Sequence, residues 1–230
     1  MTPEVPYGNR HPDYYSEWGN LTIQVMETYF KISDIKFWTH SQFFKIVAKE
    51  NGTTVKDFED EKAQRPTNAE ARMWKLKDVE VNDFERLLWI LYPPDHGKCR
   101  AKTSKDWEAI LKLADRWKFR DVCNLAIQKL ASFPLQPIKK IEIMHRHHIR
   151  KEWVFDALVT LVEQDRFPAI EDTTTLGLEM TTQLARAREE ARGLLLPWNR
   201  IRLGSLKDVI CREFGLTGGL EEPASGWLAP

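Results

Sequence analysis

The sequence changes its hydrophobic period within one short segment, residues 19–47. Apolar and polar residues alternate in two consecutive runs, from Leu21 to Val25 and from Phe30 to Ile32. A period of two is typical of a β-strand with one buried face. Because the connection between the runs is only long enough for a turn, the segment predicts a β-hairpin.

The pattern then becomes helical. Phe37, Ser41, Phe44 and Val47 follow at spacings of four, four and three residues, which is the pattern of one helix face. Ser33 precedes this pattern and is a suitable N-cap. The sequence therefore predicts a hairpin that leads directly into an α-helix.

A long loop and a third strand are predicted next. Residues 51–73 are polar and are interrupted by Pro66, which is typical of a loop. Alternation returns at Trp74 and Leu76, and this predicts the third strand.

Three helices are predicted after the third strand. Their apolar stripes comprise Phe84, Leu87, Leu88 and Leu91 in the first, Trp107, Ile110, Leu111, Ala114 and Trp117 in the second, and Phe119, Val122, Ala126 and Leu130 in the third. Asn82 and Glu85 form a variant of the capping box for the first helix, which the two prolines of "YPPDHG" end. Thr103 or Ser104 caps the second helix, and its short link to the third predicts a helical hairpin.

The remainder of the chain is predicted to be helical. Helices are expected at 137–148, 151–164, 173–193 and 205–214, each with an apolar stripe. The predicted organisation is an N-terminal segment at 1–18, an α+β domain at 19–132, a helical extension at 133–214 and a disordered tail at 215–230.

The junction between the second strand and the first helix resembles the signature of the BTB (POZ) family. The matching residues are Phe30, Lys31, Ile32, Phe37, Ser41, Phe43 and Phe44. The segment "LKDVEVNDFERLLWILYPP" looks like the family's third strand and following helix, and "WEAILKLADRWKFRDVCNLAIQKL" looks like its closing helical pair. The resemblance is closest to fungal BTB proteins and covers roughly residues 11–192. It implies a BTB/POZ fold, a small β-sheet capped by helices, followed by an all-helical C-terminal extension.

The resemblance implies a protein-interaction module that acts as an oligomerising adaptor. One expected use is the recruitment of substrates to a cullin-type ubiquitin ligase. The alternative is a transcription-associated regulator whose BTB domain oligomerises while another chain binds DNA. The expected contact residues are Phe30, Trp38 and Phe43 for a homodimer, and Phe84, Tyr92 and Asp95 for a partner such as a cullin.

Two features leave the homodimer open. Asn20, Ser33 and Asp34 stand where family members commonly carry an aspartate and a histidine-basic pair. Trp38 lies on a different helix face from Phe37, so it anchors a partner if that face is exposed and belongs to the core if the face is covered.

The charge balance argues against nucleic-acid and membrane partners. Lysine plus arginine and aspartate plus glutamate number 34 each, so no net field attracts the chain to nucleic acid or to an anionic membrane. No apolar run has the length of a membrane span, and no signal peptide is recognised at the N-terminus. Cys99, Cys123 and Cys211 fit reduced thiols, so a cytoplasmic or nuclear protein is expected.

No metal site, cofactor or enzymatic activity is expected. His145, His147 and His148 are close in sequence, but His96 and Cys99 lie in a distant loop, so a solvent-facing basic helix end is the preferred interpretation. No catalytic motif is present in the sequence. The acidic groups Glu171 with Asp172, and Asp57 with Glu59 and Asp60, are interpreted as solvated loop carboxylates.

Overall fold

The structure, a computed structural model, describes residues 9–44, 72–93, 99–194, 206–216 and 228. The chain divides into two compact units, Met1–Leu130 and Ala131–Pro230. The first unit combines a β-sheet with helices, whereas the described part of the second unit is helical apart from one bridge between Ile149 and Leu228. The chain therefore belongs to the α+β class.

The described elements of the first unit are four strands and four helices. They are β1 (Arg10–Tyr15), β2 (Leu21–Val25), β3 (Thr28–Ile32), α1 (Ile35–His40), β4 (Arg72–Leu76), α2 (Val81–Leu91), α3 (Ser104–Arg116) and α4 (Arg120–Ala131). Those of the second unit are α5 (Pro137–Arg146), a 3-10 turn (Lys151–Val154), α6 (Phe155–Glu163), α7 (Ile170–Leu194) and α8 (Leu206–Phe214). No helix of these elements is long and apolar enough to cross a membrane.

The four described strands form one sheet in the order β1-β3-β2-β4. The predicted hairpin is confirmed, with β2 and β3 antiparallel and Ile23 opposite Phe30. The predicted third strand is also confirmed as β4, which pairs with β2 in parallel and places Trp74 beside Ile23. The sheet therefore buries a continuous row of large apolar side chains.

The sequence analysis missed strand β1. Its buried residues, His11 and Tyr14, are three positions apart, and its pairing with β3 shifts register between Arg10 and Tyr15. The shift removes the alternation by which a strand is recognised in a sequence. The His11 ring stacks on Phe30 at 4.7 Å between centroids, and this contact fixes β1 to the sheet.

The predicted helical stripes face the core of the first unit. Phe84 of α2 contacts Phe30 of the sheet at 4.9 Å and Trp117 at 6.0 Å, so one residue joins the sheet to the helical hairpin. Every residue of the three predicted stripes is buried. Thr103 caps α3 in a capping box with Asp106, as predicted for this position.

Two other predicted caps are wrong. Asp34, not Ser33, is the N-cap of α1, because the first helical residue is Ile35. Helix α2 begins at Val81 after Glu80, without a side-chain cap, so Asn82 lies inside the helix.

The first helix is also shorter than predicted. Helix α1 ends at His40, and Ser41 adopts an extended conformation. The Ser41 hydroxyl donates to the carbonyl of Trp117 and accepts a hydrogen bond from the Phe44 amide at 3.1 Å, which starts a new helical turn. Val47 and the predicted loop up to residue 71 lie outside the described residues.

Gly19 is required where β2 begins. A Cβ added to Gly19 would lie 2.7 Å from the Ile32 nitrogen and 2.7 Å from the Lys31 carbonyl carbon. Because these are backbone atoms of a paired strand, we expect Gly19→Ala to lower the free energy of unfolding by about 1–3 kcal/mol in urea denaturation. Gly193→Ala is the control, since a Cβ there meets no atom within 4 Å. Equal losses in the two variants would show that close packing at Gly19 is not the cause.

The second unit follows the predicted helical order with two differences. Helix α7 begins at Ile170, earlier than predicted, and is broken at Gly177, which has φ 80° and ψ 162°. This conformation is almost restricted to glycine. Of the predicted disordered tail, Leu216 is buried and Leu228 pairs with Ile149, while residues 217–227 lie outside the described residues.

Candidate functional site

A groove of ≈ 230 Å³ opens on the first unit between α1, the end of α2 and the start of α4. Its apolar floor consists of Ile90, Leu91, Phe119, Val122 and Leu125, and its polar rim of Lys36, His40 and Asp121. We call this feature the α1–α2–α4 groove.

The floor is made where two helices meet. Leu91 and Val122 are the ends of two core stripes and are buried, as is Phe119. Ile90 and Leu125 are half-buried and lie beside these stripes. Apolar side chains are therefore exposed along the groove although the core beneath it is closed, which is the arrangement of a surface that buries a further apolar group.

The rim carries charges of both signs. His40 Nδ1 lies 3.8 Å from Asp121 Oδ2, but both side chains are exposed, so this pair contributes little to stability. The Lys36 ammonium, in contrast, takes part in no ion pair with the described residues. It is available to a carboxylate that approaches the groove.

Tyr92, which follows the groove residue Leu91, connects the end of α2 to the start of α1. Its hydroxyl donates to the Ser33 carbonyl, and its ring stacks on Phe37 with centroids 6.5 Å apart. Burial raises the pKa of the Tyr92 hydroxyl, so the group stays a neutral donor. The end of α2 is thus held against the start of α1, which gives the groove a defined width.

The size of the groove limits what it can hold. Sites for small molecules usually enclose about 300–1,000 Å³ and bury most of the ligand. A groove of ≈ 230 Å³ that is open along one side is better suited to apolar side chains of another polypeptide.

Three of the residues predicted to contact partners belong to the core instead. Phe30 and Phe84 are 0% exposed and Trp38 is 6% exposed, so none of them offers a surface to a partner. Trp38 is covered by the rings of Phe44 and Trp74, at 5.8 and 5.7 Å. The interpretation of Trp38 as an exposed anchor is therefore wrong.

The other predicted contact residues have different positions. Phe43 is half-exposed and contacts Phe44 at 5.1 Å, whereas Tyr92 is half-buried at the end of α2. Asp95 lies outside the described residues.

The positions that depart from the family pattern are connected to one another. The Asn20 amide donates to Asp34 Oδ1 at 3.0 Å, and its oxygen accepts from the Asp34 amide at 2.9 Å. The other carboxylate oxygen of Asp34 accepts from Trp38 Nε1 at 2.7 Å. Asp34 is therefore committed to contacts inside the unit, and this explains why a tryptophan is accommodated at position 38.

The histidine segment does not form a uniformly solvent-facing helix end. His147 is buried as the C-cap of α5, whereas His145 and His148 are exposed. No group of three or more potential ligands for a metal ion occurs among the described residues. Glu171 and Asp172 lie in the first turn of α7, not in a loop as predicted, and Asp57, Glu59, Asp60 and His96 lie outside the described residues.

Sequence reasoning did not identify the groove. The charged rim residues have the sequence pattern of any solvent-exposed helix face. Val122 belongs to a core-facing stripe, and this pattern does not show that it also borders a groove. Only Ile90 and Leu125 indicate the groove in the sequence, because they are apolar residues outside the core-facing stripes of their helices.

Comparison with known proteins adds no relative. The sequence matches no protein-family model, and a search of the curated proteins finds no match.

Proposed function

We propose that this chain is a BTB-type protein-interaction adaptor that oligomerises and holds a segment of another protein in the α1–α2–α4 groove. The observation that carries the proposal is the groove's apolar floor with a charged rim. An apolar centre surrounded by polar residues is the usual anatomy of a protein interface.

The order of elements supports the BTB assignment. The described elements follow the order implied by the resemblance. A hairpin is followed by a helix, then by a strand parallel to the first hairpin strand, and then by a helix and a helical hairpin. Most of the residues that carry the resemblance are buried at the junction of sheet and helices, namely Phe30, Ile32, Phe37, Ser41 and Phe44, whereas Lys31 and Phe43 are half-buried.

A cullin-type ubiquitin ligase is the partner that we propose for the groove. The segment expected to contact a cullin begins at Phe84, and its residues Ile90 and Leu91 form part of the floor. The adaptor would act in the cytoplasm or the nucleus. This proposal agrees with the free thiols of Cys99, Cys123 and Cys211.

The test is direct binding of the purified full-length chain to a purified cullin, measured by calorimetry. We expect Leu125→Asp to weaken binding at least about 10-fold, because it removes an apolar contact from the floor and introduces a carboxylate that the bound segment would desolvate. Gln128→Asp, on an exposed position of the same helix, is the control and is expected to bind like the unchanged chain. No binding by the unchanged chain would exclude the cullin, and equal binding by both variants would exclude the groove.

A further inference from the structure

A cavity of ≈ 370 Å³ lies in the second unit, between the end of α6, the end of α7 and the start of α8. Its apolar lining comprises Val162, which is buried, and Ala191 and Leu206, which are half-buried. The volume is within the range of about 300–1,000 Å³ that is typical of sites for small molecules. We call this feature the α6–α7–α8 cavity.

Contacts between the three helices hold the walls of this cavity in place. The carbonyl of Asp165, just beyond the end of α6, accepts hydrogen bonds at 3.1 Å from both Arg188 and Arg192 of α7. Helix α8 packs against α6 and α7 and buries Val209 and Ile210. The walls are therefore fixed by the fold itself, as is usual for small-molecule sites.

Charges of both signs line the α6–α7–α8 cavity without neutralising one another. They are the carboxylates of Glu163 and Asp165 and the guanidinium of Arg192. None of these groups takes part in an ion pair with the described part of the chain, so no oxygen of the two carboxylates lies within 4.0 Å of an Arg192 nitrogen. All three residues are exposed, so a ligand can reach their charged groups.

The charged groups retain hydrogen-bonding capacity for a ligand. Arg192 donates one hydrogen bond to the Asp165 carbonyl, and a guanidinium has further N–H groups that suit a carboxylate. The side-chain carboxylates of Glu163 and Asp165 can accept hydrogen bonds from an ammonium group. The cavity therefore offers a partner to each of two opposite charges, together with an apolar lining.

We propose that the α6–α7–α8 cavity binds a free apolar α-amino acid. The carboxylate of the ligand binds Arg192, its ammonium binds Glu163 or Asp165, and its side chain covers the apolar lining. A ligand with a single charge would leave the opposite charge of the cavity desolvated without a partner. Because ionic contacts at exposed positions are weak, burial of the apolar side chain is required as well.

This inference goes beyond the proposed function, since it assigns a small-molecule site to the second unit. It does not depend on the α1–α2–α4 groove or on any protein partner. Either proposal can therefore fail without the other.

The first experiment titrates the full chain with L-phenylalanine, L-leucine and L-methionine by calorimetry. It also compares L-phenylalanine with 3-phenylpropionate, which lacks the ammonium, and with 2-phenylethylamine, which lacks the carboxylate. We expect L-phenylalanine to bind at least about 5-fold more tightly than either analogue, since each analogue loses one charged hydrogen-bonding group. Glycine, which has no apolar side chain, is expected to bind more weakly than the three apolar amino acids.

The second experiment removes the positive charge of the cavity. Arg192→Gln is expected to weaken the binding of L-phenylalanine at least about 5-fold and to abolish its advantage over 2-phenylethylamine. Arg186→Gln is the matched control, because Arg186 is exposed on the same helix and does not line the cavity.

The third experiment removes the negative charges. The double variant Glu163→Gln with Asp165→Asn is expected to lose the preference for L-phenylalanine over 3-phenylpropionate while it keeps the preference over 2-phenylethylamine. Asp165→Asn retains the backbone carbonyl to which Arg188 and Arg192 donate, so the wall of the cavity is preserved. A misfolded variant would lose all preferences together, which distinguishes misfolding from the loss of one contact.

Several outcomes would overturn the proposal. They are no binding of any of the three apolar amino acids to the unchanged chain at millimolar concentration, equal binding of L-phenylalanine and its two analogues, or an Arg192→Gln variant that binds like Arg186→Gln. Leu125→Asp, which addresses the groove of the first unit, is expected to bind L-phenylalanine like the unchanged chain.

Discussion

Replacing Phe44 by alanine is expected to lower the free energy of unfolding of the first unit by about 3–5 kcal/mol. Phe44 is 1% exposed and stacks on Trp74 with ring centroids 5.4 Å apart. It also contacts the rings of Phe37 at 5.1 Å and Trp38 at 5.8 Å. Because the rings around it come from the sheet, α1 and the helical hairpin, alanine would leave a cavity that no single neighbour can fill.

Phe43→Ala is the matched control for this prediction. Phe43 is the preceding residue, is half-exposed and makes its ring contact with Phe44. We expect its loss to cost about 1 kcal/mol or less. Urea denaturation of the full chain, followed by tryptophan fluorescence and by far-ultraviolet circular dichroism, measures both variants. Similar losses would contradict the assignment of Phe44 as the centre of the aromatic core.

Periodicity predicted the elements whose burial is regular. Strands β2 and β3 alternate in sequence because each has one buried face, and Trp107 to Trp117 follow a helical spacing because α3 lies flat on the core. Strand β1 could not be found in this way, since its irregular register buries residues three apart.

The burial of Trp38 could not be predicted from its position on the helix alone. Its burial depends on Asp34, which accepts the indole hydrogen bond, and on Trp74, which reaches it from a strand distant in sequence. A side chain outside the main apolar stripe of its helix is buried only if another part of the fold packs against it.

Helix α1 shows how the core and the groove share a short segment. Phe37 and Trp38 point into the core, while Ile35, Lys36 and His40 are exposed. Lys36 and His40 are four residues apart and therefore lie on one face, along the groove. Ile35 begins the helix beside the sheet end. Six residues thus supply two side chains of the core and one side of the groove.

The second large effect is expected in the second unit, where Arg188 is 3% exposed although it carries a charge. Its guanidinium donates to the carbonyl of Leu161 and, at 3.1 Å, to that of Asp165. Burial lowers the pKa of Arg188, but the two carbonyls and the Phe167 ring, 5.6 Å away, compensate for part of the lost hydration.

Arg188→Ala is expected to lower the free energy of unfolding of the second unit by about 2–4 kcal/mol. Leu161 lies in the last turn of α6, where carbonyls generally lack a partner within the helix, and Asp165 follows the helix end, so Arg188 caps this end from another helix. Alanine would remove the hydrogen bond to the buried Leu161 carbonyl and one of the two to the Asp165 carbonyl, and it would empty the space that the side chain had filled.

Two further variants separate the causes. Arg192→Ala removes one hydrogen bond to the Asp165 carbonyl from an exposed side chain, so a loss of about 1 kcal/mol or less is expected. Arg188→Met keeps most of the volume but removes every donor. If hydrogen bonding to the α6 carbonyls is the main contribution, the methionine variant will be almost as unstable as the alanine variant, and amide exchange will accelerate in the last turn of α6. A methionine variant with the stability of the unchanged chain would instead show that Arg188 acts only by filling space, because the carbonyls would then be satisfied without it.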